Sequence, residues 1–200
     1  MPGEKYTRLA PPAPGSYTPE QKKAAEAFFA LRNEPPFGPF GLLLNSPELM
    51  TLVQKLGEYL RYRSSMGHAL SELAVLITAR ETSQDYEWFL HQPIAVKAGI
   101  KREITEAIRD GKRPKNMSED EALVYDFSVE LHRTKNISDA LYARALKRFG
   151  PQGVIDLIGT NGYYTLLAMQ LNAHKMPLPA GAKGLPKKKR KTSSGPASPG

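Results

Sequence analysis

Apolar residues recur every three to four positions through most of the chain, which is the period of an amphipathic helix. The clearest stretch runs from residue 68 to residue 99 and divides into two predicted helices, about 68–80 and 84–98. A polar break over residues 81–83 separates them. No stretch of useful length alternates apolar and polar residues as a half-buried strand does. The pattern therefore predicts an all-α fold.

Start and stop signals predict the other helices, for a total of six to eight. N-cap residues followed by proline and an acid open two helices at Thr18 and Ser46, and Ser118 with Glu121 matches a capping box. The prolines of segment 33–41 predict a loop that packs against the body. The remaining helices are predicted over about 101–110, from Ser138 to Phe149, and from Pro151 to about His174.

The buried faces of three helices are also predicted from the spacing of small and apolar residues. In the last helix, Gly153, Gly159 and Gly162 indicate a close helix crossing or a lined cavity. For the first two helices the predicted apolar stripes are Ala24, Ala27, Phe28 and Leu31, and then Leu49, Leu52, Val53, Leu56 and Leu60.

Composition divides the chain into a flexible Pro-rich arm (1–17), one helical domain (18–179) and a disordered basic tail (180–200). The formal net charge is +8, and six of the cations lie in the tail, which has no acid. Eight minus six leaves +2 for the rest of the chain. The basicity therefore belongs to the tail, whose L-P-K-K-K-R-K run is typical of a nuclear-localisation signal.

The absence of cysteine excludes a disulfide framework, a thiolate zinc site and a cysteine nucleophile. No run of about 18 apolar residues and no basic-then-apolar start is present, so neither a membrane span nor a secretory signal is expected. We expect a cytoplasmic protein without membrane partners, or a nuclear one if the tail is exposed. The tail is expected to contact an import receptor or, non-specifically, nucleic acid.

Two helices of the central stretch each carry an imidazole and a carboxylate four residues apart. His91 with Glu87 is the first candidate for acid–base chemistry, because imidazole titrates near neutral pH. Glu72 stands on an otherwise apolar helix, where burial would suit a proton shuttle. The plainer interpretation of all three is a set of structural ion pairs. His68, Glu72, Glu87 and His91 are also a possible metal set, but their convergence is unproven, so no metal is predicted.

The remaining candidate residues would bind a substrate. Arg80 can bind a carboxylate or enolate oxygen of a substrate. Its plainer interpretation is a cation that stabilises the C-terminal end of its helix by interacting with the helix dipole. Four aromatic residues can line a pocket for an unsaturated ring, although aromatics at helical spacing are usually core. They are Tyr86, Trp88, Tyr163 and Tyr164.

The motifs E-L-A-x-L-x-x-A-R, Y-E-W-x-x-H-x-P and A-x-x-A-G resemble the carboxymuconolactone decarboxylase-like proteins, whose superfamily includes the alkyl hydroperoxidase D-type thiol peroxidases. The resemblance covers about residues 18–179. It implies an alkyl hydroperoxidase D-like helical domain, a homo-oligomer (a trimer or hexamer), and a reaction that needs no cofactor. Gln84 and Glu87 stand where the peroxidase branch has its two cysteines, so thiol chemistry is excluded.

The resemblance also implies a function. His91 lies on the helix that matches the active-site helix, and Glu72 matches the acid of the proton relay. We expect a lyase that decarboxylates a small carboxylated or lactone-type unsaturated substrate. His91 would transfer the proton to the substrate, Glu87 would hold the imidazole of His91 in its orientation, and Glu72 would relay the proton. The alternatives are an isomerase, dehydratase or lactone hydrolase on a similar substrate, and a catalytically silent protein that binds a ligand or partner.

Overall fold

The computed structural model of the chain describes residues 8–187, and all regular structure in that range is helical. A short 3-10 turn over Pro14–Ser16 precedes eight α-helices. They are α1 (Pro19–Arg32), α2 (Pro39–Leu43), α3 (Pro47–Tyr62), α4 (His68–Glu81), α5 (Asp85–Lys97), α6 (Arg102–Arg109), α7 (Glu119–Thr134) and α8 (Asp139–Ala173).

Helix α4 is the central element of the fold. All ten residues from Ser71 to Arg80 are buried, because α4 contacts α5, α7 and α8 on different sides. A helix covered all round needs apolar or small residues on every face, and the sequence of α4 has them. The same burial places Glu72 inside the protein, so this carboxylate must find a polar partner there.

The predicted helix boundaries agree with the structure at most ends. The Ser118–Glu121 capping box is present, and the left-handed Gly150 (φ 69°) interrupts α8 where the sequence predicts a break. Segment 33–41 is a loop only as far as Gly38. There Pro39 opens α2, because proline is tolerated at the first position of a helix.

The predicted apolar stripes of α1 and α3 are partly wrong. Ala27 and Leu31 of α1 are exposed, and on α3 the leucines at positions 49, 52 and 56 face outward. The face of α3 that is buried consists of Met50, Val53, Gln54, Gly57 and Leu60. Apolar residues recur at helical spacing on both sides of α3, so periodicity alone could not select the side that packs against the core.

Helices α3 and α8 cross closely at two glycines. One of them, Gly159, is among the three that the sequence predicted, and the other, Gly57, is not. A side chain at Gly57 would overlap the hydroxyl of Tyr163, and one at Gly159 would lie 3.3 Å from Leu60. Gly162 has no neighbour within 4 Å of such a position, and Gly153 faces the side chains of Phe149 and Met66. The crossing therefore holds α8 close to α3 beside Tyr163.

The described parts of both chain ends lie on the helical body. Arg8 donates a 2.6 Å hydrogen bond to the carbonyl of Ala173. At the other end, Arg80 donates to the carbonyl of Pro186, and the N–H of Leu185 donates to Asp85. The predicted arm residues 1–7 and the tail residues 188–200, which include most of the basic run, lie outside the described residues. Among residues 8–187, no helix is long and apolar enough to cross a membrane.

Candidate active site

Helices α4 and α5 bring three predicted residues into one buried group. Nδ1 of His91 lies 2.7 Å from a carboxylate oxygen of Glu72, and Nε2 lies 3.4 Å from Glu87. Glu72 is 1% exposed, Glu87 3% and His91 6%. The Glu87 contact is the i,i+4 pair within α5, whereas the Glu72 contact joins the two helices. The imidazole therefore lies between two carboxyl groups and is largely shielded from bulk water.

The lengths of the two contacts assign the protons of the imidazole. The 2.7 Å separation from Glu72 is that of a strong, charge-assisted hydrogen bond, in which the Nδ1–H group donates to the carboxylate. The Nε2 atom is then the site that gains or loses a proton. Glu72, on the buried central helix, therefore orients the ring, and the longer contact to Glu87 leaves Nε2 available.

Burial raises the pKa of Glu87 above its ordinary value of 4.5. The nearby carboxylate of Glu72 also raises this pKa, while His91 and Arg61 lower it. Desolvation is the largest of these effects, because the charged carboxylate loses its hydration. Glu87 therefore holds a proton to higher pH than a carboxyl group in water, next to an imidazole that can accept it.

Helix α8 supplies an aromatic wall. The ring of Tyr164 packs edge-on against His91 at a centroid distance of 5.0 Å, and Tyr163 packs edge-on against Tyr164. Burial raises the pKa of both phenols, that of Tyr164 most strongly, with Glu72 adding to it. Both phenols therefore keep their protons across the physiological range, and each can donate a hydrogen bond to an anionic oxygen.

Arg61 also lines this site, and the sequence analysis missed it. Its Nε atom is buried and has no hydrogen-bond partner among the described residues. The sequence does contain a signal for Arg61, because this residue follows Gly57 by one helical turn. It therefore shares the buried face of α3, which the sequence alone does not identify. The predicted stripe of α3 contained only apolar residues, so it did not include Arg61.

The cavity next to His91 has a volume of about 130 Å³. A dry cavity of about 150 Å³ holds one benzene molecule, so this space fits a ligand of about one ring. Arg32 and Phe37 line both this cavity and an outer one of about 400 Å³. Four helices contribute polar or charged side chains to the lining of the cavity beside His91. These side chains are Arg32, Arg61, Glu87, His91, Tyr163 and Tyr164.

Three predicted substrate-binding residues lie elsewhere. Arg80 is 5% exposed, and its guanidinium donates 2.6 Å from Nη1 to the carbonyl of Pro186. Tyr86 is fully buried in a small apolar cluster with Leu42 and Leu171. Trp88 lines a different cavity. All three residues are near the site in sequence, but none of them lines the cavity beside His91.

The four residues of the possible metal set do not converge. His68 is exposed at the start of α4, while the other three form the buried group around His91. Within residues 8–187, no group of three or more histidine, aspartate or glutamate side chains has an arrangement that could hold a metal ion.

Comparisons with known proteins bear on the fold. No protein-family model and no curated protein sequence matches the chain. Among solved structures, one similar protein is an uncharacterized peroxidase-related protein from Silicibacter sp. TM1040, with TM-score 0.72 and 13% identity over 91% of this chain and 96% of that one. Another is a cysteine-to-alanine variant of the debrominase Bmp8 in complex with 2,3,4-tribromopyrrole, with TM-score 0.67 and 11% identity over 88% and 95%.

These similarities establish an all-helical, alkyl hydroperoxidase D-like fold, as the sequence predicted. At 13% and 11% identity they establish the fold alone. Membership of the carboxymuconolactone decarboxylase-like branch stays a prediction. The chain has no cysteine, so any chemistry at this site proceeds without a thiol.

Proposed function

We propose that this protein is a cofactor-independent lyase that uses acid–base catalysis on a small, unsaturated carboxylate or lactone acid. The observation that supports the proposal most is His91, held between two buried carboxyl groups beside a cavity the size of one ring. General acid–base catalysis needs a proton-transferring side chain next to the bound substrate, and the imidazole of His91 lines the cavity.

In the proposed mechanism, Glu72 keeps the imidazole oriented by accepting the Nδ1–H bond. Glu87 exchanges protons with Nε2 across 3.4 Å. The sequence analysis assigned orientation to Glu87 and the relay to Glu72, and the two distances favour the reverse. Burial raises the pKa of Glu87, so this carboxyl group holds its proton to higher pH than Glu in water and is suited to deliver it.

The decarboxylation step places a negative charge on the substrate. The bond from carbon to the carboxylate breaks, carbon dioxide leaves, and the electron pair of that bond passes into an adjacent enolate. Arg61 and Tyr164 line the cavity where this oxygen would lie, and each carries a hydrogen-bond donor. Glu87 passes its proton to Nε2, and His91 delivers that proton to the carbon. Glu87 then takes a proton from water, which replaces the one that the product has carried away. Arg61 thus takes the role that the sequence analysis gave to Arg80.

The first test is capture of metabolites by the purified protein, followed by mass spectrometry. Arg61→Gln should lose a captured anion, while Arg80→Gln should keep it if it folds, because Arg80 does not line the cavity. Capture of a carboxylate that survives Arg61→Gln would contradict the proposed role of Arg61.

The second test is turnover of the captured compound. His91→Ala should lower turnover by about 10²- to 10⁴-fold, the usual contribution of one acid–base group. His68→Ala, which removes an exposed histidine outside the cavity, should retain it. Full activity of His91→Ala on a confirmed substrate would contradict the proposal.

A proton transfer without loss of carbon dioxide is the first alternative, because the same groups serve an isomerase, a dehydratase or a lactone hydrolase. Measuring carbon dioxide release together with product mass separates these from a lyase. The second alternative is a silent binding protein. The observation favouring it is that both nitrogens of His91 already face carboxyl groups of the protein.

A further inference from the structure

Helix α5 forms a wall of two different cavities. Glu87, Leu90, His91 and Ile94 line the cavity described above. The residues between them face the other way, because a helix turns by about 100° per residue. Trp88, Phe89, Gln92 and Pro93 line a second cavity of about 510 Å³ on the far side. The second cavity shares no lining residue with the first.

The size and floor of this second cavity suit a small organic molecule. Ligand sites typically measure about 300–1,000 Å³ and combine apolar surface with a few polar groups. Here Trp88, Phe89 and Pro93 supply apolar surface. Gln92 and Thr105, which are joined by a 3.2 Å hydrogen bond, supply polar groups.

The rim of the cavity is cationic. Arg102, Arg109 and Lys183 line it, against a single acid, Glu106. Arg109 is paired with Asp110 at 3.1 Å, whereas Arg102 and Lys183 have no ion-pair partner among the described residues. Apart from the paired Arg109, the cavity therefore has two cations against one acid beside an aromatic floor, and this excess of positive charge favours an anion.

One wall of the cavity is built by the segment that leads into the basic tail. Lys183, Gly184 and Pro186 line it. Two hydrogen bonds hold the segment in place, from the N–H of Leu185 to Asp85 at 2.8 Å and from Arg80 to the carbonyl of Pro186 at 2.6 Å. This arrangement gives the buried Arg80 a partner and places Lys183 in the lining of the cavity, which Arg102 also lines.

We propose that this second cavity is a binding site for a small anion that carries a planar apolar ring, the chemistry of an aromatic carboxylate. The ring would lie against Trp88 and Phe89, and the anionic group would meet Arg102 and Lys183. The proposal does not depend on the function of His91, because different residues line the two cavities.

The test uses the fluorescence of Trp88, which is the only tryptophan of the chain. The full-length protein is titrated with benzoate and, in parallel, with benzamide, which has the same ring and a similar size but no charge. Benzoate should change Trp88 fluorescence saturably, and benzamide should bind at least about 10-fold more weakly, since one lost charge pair of about 1.4 kcal/mol corresponds to that factor.

Charge variants locate the binding. Arg102→Gln and Lys183→Gln should each weaken benzoate binding several-fold, and Glu106→Gln should strengthen it, because it removes the only acid of the rim. Arg144→Gln is the control for the two cation variants, because it also removes one positive charge but from an exposed residue outside the cavity. It should leave benzoate binding unchanged. All four residues are exposed, so these variants are expected to fold.

Arg61→Gln separates this site from the cavity beside His91. Benzoate binding that survives Arg61→Gln and is lost in the Arg102→Gln, Lys183→Gln double variant supports the proposal. Three results would each overturn it: no saturable response of Trp88, equal binding of benzamide, or binding that is lost in Arg61→Gln and kept in the double variant.

Discussion

The chemistry of the site depends on how few water molecules can reach three ionisable side chains. Glu72, Glu87 and His91 are each less than a tenth exposed, so their protons are shared mainly with one another. In water an i,i+4 pair such as Glu87 and His91 contributes only about 0.2–0.5 kcal/mol. Burial makes the pair more consequential, because removing one partner leaves the other charged or polar group without compensation.

At this scale the sequence predicted which three ionisable groups come together better than it predicted their surroundings. The spacing of Glu87 and His91 indicates a pair on one helix, and the resemblance adds Glu72. Arg61 and the orienting role of Glu72 depend on how α3 and α4 pack, and no local pattern records that packing. Arg80, Tyr86 and Trp88 were selected because they lie near the motif in sequence.

The raised pKa of Glu87 predicts a pH-dependent cost to stability. The native state binds the Glu87 proton more tightly than the unfolded chain does, so the favourable contribution is complete below about pH 4.5. It is lost as the pH rises from there through the raised native pKa. Glu87→Gln removes this dependence, so its stability relative to the wild type should increase with pH across that window.

Urea unfolding at a series of pH values measures this difference. Glu26→Gln, which neutralises an exposed carboxylate of α1, is the matched control and should lack the trend. A stability difference for Glu87→Gln that falls as the pH rises would show that the pKa is lowered in the native state instead.

At the scale of elements, the hairpin of α4 and α5 was predictable because α4 is apolar throughout and a polar break separates the two helices. The crossing of α3 and α8 was not predictable to the same degree. Both sides of α3 carry apolar residues, and the contact that decides between them joins Gly57 to Tyr163, far apart in sequence. A single sequence does not record such a long-range contact.

Gly57→Ala tests whether this crossing positions the aromatic wall. In an isolated helix the change would stabilise by about 1 kcal/mol. Here the new methyl group would overlap the hydroxyl of Tyr163, so we expect a loss of about 1–3 kcal/mol, the usual cost of overpacking. Thermal or urea unfolding measures the effect.

Gly162→Ala is the matched control on α8, since no neighbour lies within 4 Å of the added atom. It should be neutral or slightly stabilising. If both variants behave alike, helix propensity decides the result, and the close contact of α3 with α8 has no energetic importance.

At the scale of the whole molecule, large apolar side chains remain on the surface of two helices. Leu52 of α3 is 59% exposed, and Ile155 and Met169 of α8 are each 65% exposed. Exposed apolar residues typically mark an interface between proteins where they form one patch. We propose that these faces join copies of the chain in the trimer or hexamer that the family resemblance implies.

Native mass spectrometry at micromolar concentration tests this assembly. The expected mass is three or six times the 22.1 kDa of one chain. Leu52→Asp and Ile155→Asp should shift the population toward the single chain, because each places a charge in a surface that must lose its water. A wild-type mass of one chain would contradict the assembly.

The most direct test of the central claim is the protonation of His91 in nitrogen-15 NMR spectra of the imidazole rings. The chain has four histidines, and His91→Gln assigns the resonance. At neutral pH the account predicts a proton on Nδ1, shared with Glu72 and slow to exchange with water. An imidazole with its proton on Nε2 and none on Nδ1 would contradict this prediction. In that tautomer Nε2 could not accept a proton from a substrate or from Glu87.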